Sequence, residues 1–246
     1  MERDIGKQFM EMTKYQHMGE SLQKQGIPQP PAQLPVDGRL ETIALPVGNK
    51  FPLEKVDLTR LIEQRESLRH YSEEAFTLEE LAYLLWGTQG IKGMMNDRIT
   101  KRTVPSAGSR HPFETYLLVN RVDGLQPGLY RYLALEHQLA HLDAPTDINE
   151  RLTEACLKQA HVRTSAVTFI WVAIPQRSVW RYRERAYRYM LLDAGHVCQN
   201  LYLLAEAIHC GVCAIAAYDD DQVNQALDLD GEEQFAIYLA SLGRRV

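Results

Sequence analysis

The chain has 246 residues, enough for one large domain, and its 27 basic and 32 acidic residues leave a net charge of -5. That balance offers no global attraction for nucleic acid or an anionic membrane. The hydrophobic share of 45% and charged share of 24% are those of a folded protein rather than a disordered one. No stretch reads as long and uncharged enough to span a bilayer, and Met1-Glu2-Arg3-Asp4 opens no apolar signal region, so a cytoplasmic location is expected.

In chain order, residues 1–50 shift from a charged, Met- and Gln-rich opening to Ile27-Pro28-Gln29-Pro30-Pro31 and Leu45-Pro46. Such a segment holds no core of its own and reads as an arm laid over the main domain, residues 51–246, or over a second subunit. A short helix is predicted from Asp57 to about Arg65, with Leu58, Leu61 and Ile62 on one face. Thr77-Leu78-Glu79-Glu80 is a capping box that starts a helix ending at Gly87. Strands are predicted over residues 115–122, 128–133, 138–142, 166–174, 212–218 and 235–239. Helices are predicted over 148–159, 185–209 and 221–227, the long one apolar around most of its circumference and so central or at a subunit interface. Irregular mixing of helices and strands favours α+β over a doubly wound sheet. Gly87, Gly90 and Gly93 follow a helix at the wrong spacing for a dinucleotide fingerprint.

Several stretches carry polar chemistry. Arg65, Ser67 and Arg69 would point the same way from an extended backbone, as a phosphate clamp does, with a solvated arginine pair as the alternative. The stretch Val104 to Phe113 packs Ser106, Ser109, Arg110 and His111 between two prolines. It reads as a seat for a flat cofactor, a serine–histidine pair for acyl transfer, or a tight loop into a strand. The absence of Gly-x-Ser-x-Gly argues against the second. Residues 177–188 interleave arginines with Trp180, Tyr182 and Tyr187, which suits the lip of a site for an aromatic or anionic substrate, interface salt bridges or, less well in an acidic chain, a nucleic acid. Cys210-Gly211-Val212-Cys213 has no second pair to complete a zinc site, and Asp219-Asp220-Asp221 suits a helix start, so no metal is expected.

Taken together, these motifs resemble the FMN-dependent nitroreductase superfamily, and within it the SagB-type dehydrogenases that include azoline oxidases of thiazole/oxazole peptide pathways. The resemblance covers residues 57–245. It rests on Arg65-x-Ser67-x-Arg69, Leu78 to Trp86, Pro105-Ser106-Ala107-Gly108-Ser109-Arg110-His111-Pro112, Gly128 to Tyr132, Tyr187-Arg188-Tyr189, Asp193-Ala194-Gly195-His196-x-x-Gln199-Asn200-Leu201, and Leu242-Gly243-Arg244. It implies an α+β fold with an antiparallel or mixed central sheet flanked by helices, in an interlocked homodimer with FMN at the interface. Arg65, Ser67 and Arg69 would hold phosphate and ribityl. Pro105, Ser106, Ala107, Gly108, Ser109 and Arg110 would line the flavin, with serine at 109 where many relatives have asparagine. Ala216 and Ala217 would face N5 and O4, and Arg244 would be a late phosphate contact. Arg181-Tyr182 matches the Lys-Tyr pair tied to azoline dehydrogenation, with an arginine that cannot accept a proton. The implied activity is hydride transfer in alternating half-reactions, as an NAD(P)H-dependent nitro- or quinone-type reductase or as a dehydrogenase of a small-molecule or modified-peptide substrate. A non-catalytic flavin-binding protein is the alternative.

Overall fold

Strand alternation sets the architecture in the computed structural model, which describes residues 4–96 and 98–246. β4 (Phe113–Val119) and β7 (Val167–Ala173) are buried along their whole length. Leu117, Val119, Phe169 and Trp171 enter one core and Tyr116, Leu118, Ile170 and Val172 the other, as a two-residue period requires. These two strands lie at the centre of a seven-stranded sheet. Its order is β1 (Thr42–Ala44), β6 (Gln138–His141), β5 (Gly128–Leu133), β4, β7, β9 (Phe235–Arg244), β8 (Cys210–Ile215). Every pairing in it is antiparallel, so the sheet is antiparallel rather than mixed. Helices α3 (Leu78–Gln89) and α7 (Ala186–Ala207) cover one face; α4 (Ile148–Ala155), α5 (Ala160–Thr164) and α8 (Asp220–Ala226) cover the other.

Differences from the predicted elements have local causes. The capping box forms as expected, but α3 continues past Gly87, because that glycine is where α7 comes closest: a Cβ there would strike Leu204. The hairpin β2 (Ile91–Asn96) and β3 (Ile99–Arg102) escaped prediction because its register slips twice, which destroys clean alternation. The helix predicted over 148–159 breaks where Leu157 and Lys158 take φ of 56° and 61°. The basic and aromatic run holds a helix, α6 (Gln176–Tyr182). β9 outruns its predicted end because β7 and β8 flank it on both sides up to Leu242.

The first fifty residues add an edge strand, β1, to the sheet, and Leu45 to its core. Upstream, residues 31–35 cross three arginines that are no more than 7% exposed. Arg177 Nε donates to the carbonyl of Pro31 at 2.9 Å, Arg102 Nη2 to that of Ala32 at 3.2 Å, and Arg131 Nη2 to that of Pro35 at 2.8 Å. Glu114 accepts from the Leu34 N–H at 2.8 Å and forms an ion pair with Arg177. Prolines supply carbonyls and no donors, so this seam joins acceptor-rich backbone to donor-only side chains. Helices α1 (Ile5–Met12) and α2 (Leu58–Gln64) bury no residue of their own.

Candidate functional site

Two glycines set the first part of the site. Gly211 on β8 and Gly243 on β9 are cross-strand partners, and a Cβ on either would collide with a side chain of the segment after α2. Leu68 lies against Gly211, and Tyr71 Cγ would be 2.5 Å from a Cβ on Gly243. The Tyr71 hydroxyl donates to the Leu68 carbonyl at 2.7 Å and meets Ser241 Oγ at 2.8 Å. With Ser67 bridged to Val212, residues 65–69 are held extended along the outer edge of β8. The odd positions then share a side: Arg65 Cζ stands 5.3 Å from the centroid of the Tyr202 ring, and Ser67 Oγ is 3.0 Å from the Tyr202 hydroxyl. That hydroxyl also accepts the Ala214 N–H at 2.9 Å. Arg65 and Arg69 form no ion pair with another described residue, whereas Glu66 between them is taken by Arg245 at 2.7 Å. A solvent-reachable edge with two guanidiniums, a hydroxyl and no neutralising carboxylate among the described residues is chemistry suited to a phosphate.

Arg244 differs. Its Nη2 lies 2.8 Å from Glu80 Oε1 and its Nε 2.9 Å from Glu74 Oε1, so its charge is met by carboxylates. The extended C-terminal strand thus spends Arg244 on the start of α3 and Arg245 on Glu66 and Glu206.

The loop after β3 is built around Ser106. Its hydroxyl donates to Asp193 Oδ2 at 2.6 Å and accepts the His111 N–H at 2.9 Å, and the Ala107 N–H adds a 3.3 Å bond to the same carboxylate. Burial pushes the Asp193 pKa up, against these hydrogen bonds and the charge of His196. The serine partner is therefore a carboxylate on α7, and acyl-transfer chemistry loses its base: burial, with the charges of Arg102 and Arg110, pushes His111 down to about 3. Gly108, Ser109 and His111 have φ of 59°, 53° and 44°. Only glycine takes this conformation freely, and Gly108 has a second requirement, since a Cβ there would meet the Tyr182 hydroxyl. Pro105 and Gly108 are exposed; Arg110 is buried with its Cζ 5.2 Å from the Trp180 centroid, its Nε on the Gly108 carbonyl at 3.0 Å and its Nη2 unpartnered among the described residues.

Arg181 and Tyr182 end α6 beside this loop, with Arg181 Cζ 5.6 Å from the Tyr182 centroid. The corner that follows is strained: Tyr182 has φ -120° and ψ 2°, and Arg183 φ 51° and ψ -144°, a backbone that glycine adopts most readily. A non-glycine residue there costs about 1–3 kcal/mol. Ala216 and Ala217 follow β8 as exposed chain, with the Ala217 carbonyl accepting from Gln159 Nε2 at 2.8 Å.

The predicted residues therefore fall into two groups along α7. Tyr202 serves the Arg65–Arg69 edge and Asp193 the loop, nine residues or about 13 Å of helix rise apart. Leu191 and Leu192 on that helix are 57% and 61% exposed. Sequence reasoning did not single out Tyr202, Asp193 or Tyr71 as site residues. The glycines within strands were the available signal for Tyr71; nothing local marks Tyr202, whose partner Ser67 is 135 residues away.

The remaining motifs are structural. The four cysteines are buried and unpaired, and burial pushes the thiols of Cys156, Cys198 and Cys210 to about 12. Cys210 and Cys213, three apart on a strand, point to opposite faces. Asp219 caps α8 by accepting the Gln222 N–H. Among the described residues no group of side chains is suited to a metal ion, and no helix is long and apolar enough to cross a membrane.

Comparison with known proteins accords with this arrangement. A family model described as the Nitroreductase family matches residues 62–244. A Methanocaldococcus jannaschii protein bearing a nitroreductase name is 29% identical over 194 residues, which are 79% of this chain and 94% of that one. The trifolitoxin-processing protein TfxB of Rhizobium leguminosarum bv. trifolii is 31% identical over 134 residues, 53% of this chain but only 36% of that protein. A chain in the solved Escherichia coli microcin synthetase McbBCD complex, with truncated pro-MccB17 bound, superposes with a TM-score of 0.63. That match covers 97% of this chain and 86% of the other at 20% identity, and so speaks to fold alone.

Proposed function

The chain belongs to the nitroreductase family, and from that premise we propose that it is a homodimeric, FMN-dependent oxidoreductase of the SagB type. The observation that carries the reading is the pair Arg65 and Arg69, held with Ser67 on the edge of β8 and without carboxylate partners among the described residues. The donor set fits a flavin mononucleotide phosphate. Residues 105–110 would lie against the ring, Ala216 and Ala217 would offer main-chain groups at its other side, and Arg244, already neutralised by Glu80 and Glu74, would contribute little. When bound, FMN supplies a hydride acceptor and donor at one ring position.

The chain's own residues do the rest. Arg65 and Arg69 hold the anion, Gly108 lets the loop backbone approach closely, and the Tyr182 hydroxyl above it holds or passes a proton. Arg181, always charged, stabilises negative charge and leaves proton transfer to Tyr182. The separation of the two groups along α7, with Leu191 and Leu192 bare just before Asp193, supports a site completed by a second copy. The SagB-type resemblance, together with the likeness to TfxB, named for trifolitoxin processing, supports a heterocycle-bearing peptide as the substrate class.

The test is titration of the purified chain with FMN, followed anaerobically by NADH, NADPH or a thiazoline-containing peptide. Stoichiometric FMN binding with bleaching by the peptide is the expected result. Bleaching by the nicotinamide alone makes it a reductase, and failure to bind FMN overturns the proposal.

A further inference from the structure

The segment of the arm between α1 and Ile27 has no core to join, yet it is stapled to the corner where α6 meets α7. The Gln23 N–H donates to the Trp180 carbonyl at 2.9 Å and Trp180 Nε1 returns a bond to the Ile27 carbonyl at 2.7 Å. Arg185 Nη1 donates to the Thr13 carbonyl at 3.0 Å, Arg188 Nε to Thr13 Oγ1 at 2.5 Å, and Arg188 also to the Met10 carbonyl. At the centre of these contacts is a file of three tyrosines. The Tyr182 ring stands edge-on to Tyr189 with centroids 4.9 Å apart. The Tyr189 hydroxyl accepts from Arg185 Nε at 2.8 Å and faces the Tyr15 hydroxyl at 3.3 Å. Arg185 also lies 4.7 Å over the Tyr15 ring.

A strained corner keeps its shape only when its surroundings over-determine it. The corner at Tyr182 and Arg183 is buttressed on the loop side by Gly108 and on the other by Tyr189, which is held by Arg185 at the start of α7 and, from the arm, by Tyr15. We propose that the arm is a wall of the catalytic corner and that Tyr15, acting through Tyr189, is a positioning residue for Tyr182. This rests on the proposed role of Tyr182. The groups facing Tyr189 are Tyr15 from the arm, Arg185 and Arg188 from the start of α7, and Tyr182 from α6. Burial pushes the Tyr189 pKa up, but the hydrogen bonds of Tyr15 and Arg185 and the charges of Arg185 and Arg188 outweigh it, and the net direction is down.

The experiment compares Tyr15→Phe, Tyr189→Phe and Tyr182→Phe in the full chain. Tyr15 is 68% exposed, so its variant folds as the parent does. Two readouts are taken: tyrosinate absorbance against pH in the chain without FMN, and the pH profiles of kcat and KM in the FMN-loaded dimer. Loss of the lowest tyrosinate step in Tyr189→Phe and its upward shift in Tyr15→Phe are expected. Turnover should fall about 10-fold in Tyr15→Phe with KM unchanged and FMN affinity intact. A Tyr15→Phe enzyme with the parent's pH profile and titration, beside an inactive Tyr182→Phe, overturns the inference. A fully active Tyr182→Phe overturns the proposed chemistry instead; the FMN-free titration then decides whether Tyr15 and Tyr189 are linked, an unshifted curve overturning that link too.

Discussion

At the seam between arm and sheet, Arg102, Arg131 and Arg177 are buried and donate to main-chain carbonyls, with Glu114 as the carboxylate among them. At the edge of β8, Arg65 and Arg69 are reachable by solvent and have no carboxylate among the described residues. The side chain is the same and its surroundings are opposite. Burial is so unfavourable to a guanidinium that the pKa of Arg102 falls to about 10, and such a group persists only where fixed acceptors surround it. A solvated arginine with no carboxylate beside it keeps its charge available to an anion from outside the chain. Arginines that hold the fold together are thus distinguished by their burial among fixed acceptors, and the pair proposed to hold a ligand by its exposure and its lack of a carboxylate among the described residues.

The comparison breaks most readily at Glu114. Glu114→Ala should destabilise the protein by about 3–5 kcal/mol in urea denaturation, because it leaves Arg177 buried without its carboxylate and the Leu34 N–H without an acceptor. A loss below about 1 kcal/mol would mean that the seam is better solvated than its burial implies. Next comes the ledge under the clamp: Gly243→Val should cost about 1–3 kcal/mol by displacing Tyr71, and should weaken FMN binding with it. A variant that melts early yet binds FMN normally would detach the ledge from the clamp.

His111 tests the seam by pH. Its folded pKa is depressed to about 3, by burial first and then by Arg102 and Arg110, so the unfolded chain binds the proton more readily. Stability is full above pH 6.5 and is lost as pH falls from there toward 3. Between pH 7 and 5 the loss should be about 2 kcal/mol, and His111→Gln should remove most of that slope. The smallest effect on folding belongs to the clamp itself. Arg65→Ala should shift stability by no more than about 0.5 kcal/mol while weakening FMN binding about 10-fold or more, read by flavin fluorescence. A variant that loses stability and keeps FMN would reverse the assignment of the two groups.

Much of this was legible in the sequence, for identifiable reasons. The capping box at Thr77 and Glu80, the buried run ending at Ala173 and the strand Gly128–Leu133 are local patterns, and local patterns survive into the fold. The shared face of Arg65, Ser67 and Arg69, proposed as a clamp, was legible because an alternating Arg-x-Ser-x-Arg needs only an extended backbone to face one way. Long-range partners decided what stayed hidden. The family resemblance implies a phosphate contact at Arg244, and only folding brings Glu80 across 164 residues to meet its charge. Ser106 read as a candidate nucleophile until α7 supplied Asp193 as its partner. The helix α6 was obscured because its arginines and aromatics serve the arm and the loop rather than an apolar stripe.

The position of the clamp segment on the sheet has a colloidal consequence. β8 is the last strand in the order, and an open strand presents a row of unpaired donors and acceptors on which another chain can add. Here the row is covered at its middle by the residues beside Ser67, where the Leu68 N–H bonds the Val212 carbonyl at 2.9 Å. A phosphate gripped by Arg65 and Arg69 would fasten that seal, and stripping it would loosen the seal. Solubility and shelf life would then track ligand occupancy, and preparations kept saturated would resist fibril-like association longest.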